Sequence, residues 1–391
     1  MSTQAVLLSM GTRPEIIKMA PVFRALAASG QRVQVLHTGQ HDTMAWPLYQ
    51  FFGMRPHHSI TLVREGESLA HLSAALLSQT QGLLQQAAPR AVLVHGDTSS
   101  AAMVALAAFY NQIPVGHVEA GLRSHDVYDP FPEEMNRALI GRMAHWHFAP
   151  TAQARLNLRR ENVPDERIHC VGNSVVDAAQ WAAGELERRP QRGLDVLPHS
   201  LATLAPLLDG RRLVLVTAHR RENWGGGISR IAAAVVDLVS RHDDLVVVWP
   251  VHANPAVRDS VWTARAVLDE RHAHRLLLTE PLNYPAMMLL LARAWLALTD
   301  SGGIQEEAMS HRVPVLVLRE TTERPELIEC GAGVLVGTEP RVIANTVERL
   351  RADAVEHAAM RCATNPFGDG RTGERIAQIL QAELQALRRA S

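Results

Sequence analysis

Short runs of β-forming residues alternate with helical stretches from one end of this chain to the other, and that rhythm leaves few folds open. It is the pattern of parallel sheets covered by helices on both faces. In the first half the candidate strands are Ala5–Met10, Arg32–Thr38, Ala91–His95, Val115–Val118, His145–Ala149 and Ile168–Val171. The second half repeats the scheme with Leu213–Thr217, Leu245–Trp249, Arg275–Leu278, Trp295–Thr299, Val313–Leu318 and Val334–Val336. At 391 residues the chain exceeds one ordinary core, since a domain averages roughly 150 residues. The expectation is therefore α/β, with two Rossmann-like doubly wound parallel-sheet domains. The seam is placed after Gly172, giving domains over residues 1–172 and 173–364. The tail 365–391 contains an amphipathic helix, Arg371–Arg389, expected to pack back on the first domain. Pro14 suits the first turn of a helix that Gly30 would stop, and Pro21 predicts a kink or an early break within it.

The polar residues cluster in one kind of place. Strand after strand is followed by a short segment dense in Gly, Asp, Glu, His and Arg, such as Gly11-Thr12-Arg13, His95-Gly96-Asp97, His219-Arg220-Arg221-Glu222-Asn223 and Asp300-Ser301-Gly302-Gly303. Open α/β sheets bind ligands outside the carboxyl ends of their strands. If the two sheets face each other by those ends, all these segments line one cleft.

Composition narrows the function classes. The formal net charge is -1 and the basic residues are interspersed with acids, so the footprint of a nucleic-acid binder is missing. Three separated cysteines, Cys170, Cys330 and Cys362, form no CxxC pair and suit a reducing compartment. No apolar run approaches the roughly 18 residues that span a bilayer. A cytoplasmic protein without a membrane partner is expected.

Particular segments carry chemistry. Asp300-Ser301-Gly302-Gly303 reads as a strand end, a glycine turn and a helix start. Backbone N–H groups at such a helix N-terminus form a site for a diphosphate. Glu307, one turn into that helix, is placed to accept from ribose hydroxyls or to serve the helix dipole. Arg13 in the first turn and Lys18 on the following helix offer cations to an anionic ligand. Asp97, Glu119 and Glu133 follow strands or loops on the same side, and carboxylates in a water-poor site gain pKa values suited to proton transfer. His219 faces the cleft from the second domain as a phosphate donor or charge stabiliser. The spacing of His95 with Asp97, and of His117 with Glu119, raises a metal site as a competing reading.

Nine stretches in order, GTRPEIIKMAP, VHGDTSS, GHVEAGLRS, FPEEMNR, HRREN, PVHANP, TDSGGIQEEA, RETTERPE and NPFGDG, resemble the non-hydrolysing UDP-N-acetylglucosamine 2-epimerases. The resemblance runs from Gly11 to Gly370 and implies the two-domain GT-B-like arrangement. It implies reversible inversion of C2 of UDP-GlcNAc to UDP-ManNAc, by elimination of UDP to 2-acetamidoglucal and re-addition, for surface polysaccharide synthesis. Asp97, Glu119 and Glu133 match the family's acid/base carboxylates and share the two half-reactions, with Lys18 and His219 also catalytic. Arg13, Ser301, Gly302, Gly303 and Arg324 match nucleotide or diphosphate contacts, and Glu307 the ribose ligand. Leu282 and Met287 stand where some relatives use Gln and Phe near the uracil. Trp224 replaces a smaller residue after HRREN. No metal and no cofactor is implied, because UDP itself is retained as the intermediate. Gln40, His41 and His252 match the region where many members bind a second UDP-GlcNAc as activator, although Gly66 falls where relatives can carry an arginine. A homodimer is implied. The rivals are a glycosyltransferase of the same architecture, a hydrolysing epimerase and a metal-dependent hydrolase.

Overall fold

The first strand, β1 (Val6–Met10), is buried at every residue, as a parallel strand covered on both faces requires. β2 (Val33–His37), β3 (His58–Ser59), β4 (Ala91–His95), β5 (Val115–Val118), β6 (Trp146–Ala149) and β7 (Ile168–Cys170) complete one sheet. Its order is β3-β2-β1-β4-β5-β6-β7, with parallel neighbours throughout. A second sheet is built from β8 (Arg212–Thr217), β9 (Leu245–Pro250), β10 (Leu276–Thr279), β11 (Ala294–Thr299), β12 (Val315–Val317) and β13 (Gly333–Leu335). Its order is β10-β9-β8-β11-β12-β13, again parallel. The computed structural model describes residues 4–39, 42–61 and 68–390. Among these, the short edge strand His58–Ser59 is the one strand the sequence pattern does not announce, because two residues carry no periodicity.

The chain divides into two compact units, Met1–Ala178 with Phe367–Ser391, and Ala179–Pro366. The division falls inside the helix Ser174–Glu187, six residues beyond the seam expected from Gly172. In the N-terminal unit Leu7, Leu36, Val92 and Val94 pack with the alanine-rich helix Ser99–Tyr110, whose small residues let it lie close to the strands. In the C-terminal unit Val214, Val216, Val247, Trp249, Leu296 and Leu298 meet the amphipathic helix Gly227–Arg241.

The closing helix Thr372–Ala390 packs on the helix Arg13–Ala28. That contact explains a departure from expectation, for Arg13–Ala28 runs through Pro21 without a break. Gly373 lies so close that a methyl built on it would stand 2.6 Å from the Pro21 carbonyl oxygen. Packing of the closing helix at this point offsets the ladder bond that proline removes. No helix among the described residues is long and apolar enough to cross a membrane.

In each sheet the strand order reverses at one place, between β1 and β4 and between β8 and β11. Such a switch point opens a crevice at the strand ends. The segments Gly11–Lys18 and Asp97 follow β1 and β4, and His219 and Ser301–Gly303 follow β8 and β11.

Candidate active site

In the N-terminal unit the first organiser is Glu15, a residue the sequence marks only as part of a motif. Its Oε2 accepts from the N–H of Gly11 at 2.9 Å, the N–H of Thr12 at 2.8 Å and Thr12 Oγ1 at 2.9 Å. Its Oε1 accepts from Thr98 Oγ1 at 2.7 Å. One buried carboxylate thus bolts the turn after β1 to the turn after β4. Burial pushes its pKa up, and the donors from Thr98, Gly11 and Thr12 pull against that rise.

One turn along the same helix, the buried Lys18 Nζ pairs with Glu119 Oε1. Glu119 directly follows β5 and sits at φ +65, a left-handed conformation that costs a side chain about 1 kcal/mol and persists only where the surroundings hold it. Asn173 Nδ2 donates to Glu119 Oε1 at 2.9 Å, and His95 Nε2 lies 3.5 Å from Oε2.

Asp97 is held from the other side. Arg137 approaches its Oδ2 with Nε at 2.9 Å and Nη2 at 2.6 Å. Asn136 Nδ2 donates to the Asp97 carbonyl at 2.9 Å. Burial raises the Asp97 pKa; the Arg137 guanidinium opposes this, the Glu119 charge adds to it and Lys18 counters. Arg137 also donates to Glu134 Oε2 at 3.0 Å, while Glu134 Oε1 accepts from the N–H groups of Ser124 and His125, each at 3.1 Å. Burial works to raise the Glu134 pKa, but these donors together bring it below the ordinary value. Glu133 opens the helix Glu133–Met143 half-buried, and among the described residues no hydrogen bond or ion pair holds its carboxylate.

His117 on β5 is engaged with the backbone. His117 Nε2 lies 2.7 Å from the Gly96 carbonyl oxygen, to which it donates, and burial lowers its pKa to about 3. Among the described residues no three His, Cys, Asp or Glu side chains are grouped to hold a metal ion.

The C-terminal unit is organised around Asp300, which is fully buried at the end of β11. Its carboxylate accepts from the N–H of His219 at 2.9 Å, the N–H of Arg220 at 2.9 Å and Asn223 Nδ2 at 2.9 Å. The turn after β8 is thereby pinned to the turn after β11. The His219 ring lies with Nδ1 3.4 Å from Asp300 Oδ1 and stacks on His252, centroids 5.7 Å apart. Burial lowers the His219 pKa, with Asp300 opposing and His252 reinforcing the shift. Trp224 Nε1 donates to the His219 carbonyl at 3.0 Å, which braces the turn.

Ser301 occupies the N-cap position of the helix Gly302–Ser310 without a side-chain capping bond, and the first N–H groups of a helix have no intrahelical acceptor. A methyl built on Gly302 would lie 3.8 Å from the Arg324 guanidinium and 3.9 Å from that of Arg220, whereas one on Gly303 would meet nothing within 4 Å. Arg324 is itself anchored by Nε on the buried Glu306. A helix N-terminus flanked by two arginines is built for an anion, and a phosphate is the group that suits planar forks best.

A profile of the family described as UDP-N-acetylglucosamine 2-epimerase matches residues 24–381. The chain belongs to the UDP-N-acetylglucosamine 2-epimerase family. It is 43% identical to the UDP-N-acetylglucosamine 2-epimerase of Escherichia coli K12 over 378 residues, covering 96% of this chain and 98% of that one. Among solved structures it resembles the UDP-GlcNAc 2-epimerase of Neisseria meningitidis bound to UDP-GlcNAc, with TM-score 0.86, 36% identity and coverage of 97% and 100%. It also resembles MnaA of Staphylococcus aureus in complex with UDP, with TM-score 0.83, 37% identity and coverage of 98% and 97%.

Within this family member the structure sorts the residues expected from sequence. It gathers Lys18, Glu119 and Asp97 at one switch point, with Arg13 at the start of the same helix as Lys18. It gathers His219, Ser301, Gly302, Gly303 and Arg324 at the other. Glu307 is buried in the helix that follows Ser301, and Met287 and Leu282 are buried beside the start of the helix Tyr284–Arg293. His252 stands against His219, while Gln40, His41 and Gly66 lie outside the described residues. Glu15, Arg137, Asn173, Asp300 and Arg220 are the contributors that sequence reasoning does not single out. Each acts across a long sequence separation, 83 residues for Glu15 with Thr98 and 81 for His219 with Asp300, where no local pattern can announce it.

Proposed function

We propose that this family member interconverts UDP-GlcNAc and UDP-ManNAc by removing and restoring UDP. A carboxylate of the Asp97, Glu119 and Glu133 set takes the C2 proton. The C–H electron pair forms the C1–C2 double bond of 2-acetamidoglucal, and the C1–O bond breaks with its pair leaving on the UDP β-phosphate. In the return step UDP oxygen adds to C1 and a proton reaches C2 on the opposite face. The chemistry needs a departing diphosphate because C2 has no neighbouring carbonyl to stabilise a carbanion.

The observation that carries this reading is the pairing of two carboxylates in unlike settings. Glu119 lies against the Lys18 ammonium, while burial makes Asp97 readier to hold a proton. Acid and base roles are commonly divided by such an imbalance. Ser301, Gly302, Gly303, Arg220 and Arg324 receive the charge that grows on the leaving phosphate, and His219 assists them. Preorganised donors of this kind are each worth on the order of 10²–10³ in rate. Glu307 takes the ribose, and Leu282 and Met287 border the uracil. No metal and no redox cofactor enters the scheme. A second UDP-GlcNAc near His252 serves as activator, the enzyme works in the cytoplasm, and its product supplies surface polysaccharide synthesis. A homodimer is favoured by exposed apolar side chains on the N-terminal unit, including Phe109, Tyr110 and Leu139.

The test is incubation with UDP-GlcNAc in D2O, followed at C2 by NMR. Deuterium in both epimers with no free sugar is the expected result. Accumulation of free ManNAc would indicate a hydrolysing enzyme, and a C2 hydrogen that never exchanges would indicate a glycosyltransferase.

A further inference from the structure

Glu119 is held from several sides in the N-terminal unit, and one of its partners comes from a part of the chain that the chemistry above leaves unused. Asn173 is buried at the turn between β7 and the helix Ser174–Glu187. Its Nδ2 donates to Glu119 Oε1 at 2.9 Å, and its Oδ1 accepts from the Val175 N–H at 3.1 Å. A backbone donor on one side and a carboxylate on the other leave the amide a single sensible orientation.

The turn that carries Asn173 is gripped by the returning C-terminal segment. The Asn173 N–H donates to the Phe367 carbonyl at 2.7 Å, and Thr372 Oγ1 donates to the Val171 carbonyl at 3.2 Å. The Gly373 N–H donates to Asp177 Oδ1 at 2.8 Å, and Arg375 Nη1 to the Val171 carbonyl at 3.1 Å. Val171 and Asp177, on either side of Asn173 along the chain, are therefore held from residues 201 and 196 positions away.

Glu119 needs such support, because its backbone is held in a left-handed conformation and its other neighbours can change charge. Lys18 faces it from the helix Arg13–Ala28, His95 from β4, and Asp97 acts on it from the turn after β4. Asn173 donates without titrating, so its bond orients the carboxylate whatever the charge state around it.

We infer that Asn173 is a positioning residue for the epimerase chemistry: its amide aims the Glu119 carboxylate and favours its ionised form, while residues 367–375 hold Asn173 in place. The inference rests on the proton-transfer role proposed for Glu119.

The experiment compares Asn173→Asp and Asn173→Ala with the wild-type enzyme. Asn173→Asp keeps an oxygen for the Val175 N–H, and aspartate is a good cap, but it turns an acceptor toward Glu119. The expected order of kcat is wild type, then Asn173→Ala down about 10-fold, then Asn173→Asp down about 10²-fold, with KM for UDP-GlcNAc within about twofold. The acidic limb of the kcat profile moves to higher pH in both variants, further in Asn173→Asp, because losing a donor or gaining a like charge disfavours the carboxylate. Affinity for UDP alone is unchanged. A merely structural role gives the reverse order, with Asn173→Asp the more active variant, and an unmoved pH limb; either result overturns the inference. Should Asn173→Asp fail to fold, the pH limb of Asn173→Ala decides alone. Wild-type enzyme that exchanges C2 hydrogen while Asn173→Asp is fully active sinks only this inference, whereas wild-type enzyme without exchange sinks the functional reading beneath it.

Discussion

The two units place their polar residues at the same position of the same kind of sheet, yet they spend their buried carboxylates differently. In the C-terminal unit Asp300 is consumed by the backbone N–H groups of His219 and Arg220 and by Asn223. Beside it two arginines flank a helix N-terminus, Arg324 anchored on Glu306 and Arg220 3.5 Å from Glu323. In the N-terminal unit Glu15 plays the internal role, accepting from Gly11, Thr12 and Thr98, and two further carboxylates remain, Glu119 and Asp97, held by the side chains of Lys18 and Arg137. Backbone donors fix a carboxylate for good, whereas side-chain partners can move when a proton does. On the function proposed above, one switch point would hold an anion and the other would exchange a proton.

The largest expected effect separates these two jobs. Glu119→Gln keeps the size of the side chain but removes its basicity, and kcat should fall by on the order of 10³, with UDP affinity by calorimetry unchanged. A loss of UDP binding comparable to the loss of rate would show that the division of labour between the units is wrong.

Acid should also distinguish the units. Burial lowers the pKa of His117 to about 3 and of His147 to about 4, both in the N-terminal unit, and of His311 to about 4 in the C-terminal unit. In the unfolded chain these rings take up protons near pH 6.5. The unfolded state therefore binds more protons below that pH, and stability is present above pH 6.5 and lost as the pH falls toward 4. Each ring contributes a slope of up to about 1.4 kcal/mol per pH unit in that window. Hydrogen exchange read by mass spectrometry between pH 7 and 5 should show the N-terminal unit losing protection faster. His117→Gln, which retains a donor for the Gly96 carbonyl, should reduce that difference. Equal loss in both units would count against the buried histidines as its source.

What the sequence discloses follows the range of the interaction. A strand such as Ala91–His95 is readable because a buried parallel strand is a nearly continuous apolar run between turn residues. The polar clusters at strand ends, Asp97, Glu119, His219 and Ser301–Gly303, are readable because topology sends ligands there. The partners that set their geometry are not. Asn173 lies 54 residues from Glu119, and Arg137 lies 40 from Asp97. Glu133 and Glu134 are adjacent and alike in sequence, and only the fold shows Glu134 tied to Ser124, His125 and Arg137 while its neighbour has no such anchor among the described residues. Pro21, locally a helix breaker, is overruled by the packing of Gly373.

The smallest expected effect tests the anion-holding side, and its strength lies in sign rather than size. Gly303 occupies the second position of the helix Gly302–Ser310, its backbone is not in the left-handed region, and a methyl there meets nothing within 4 Å. Alanine forms helix better than glycine by up to about 1 kcal/mol, so Gly303→Ala should leave the protein as stable as wild type or raise its melting temperature slightly. The same methyl enters the space where a diphosphate oxygen would meet the Gly303 N–H. UDP affinity should then fall about 10-fold, or about 1.4 kcal/mol, opposite in direction to the change in stability. A variant that melts higher and binds UDP as tightly as wild type would mean that the phosphate rests elsewhere on the turn, on the Arg220 and Arg324 side. A variant that melts lower would mean that the open space around Gly303 is used by the fold itself.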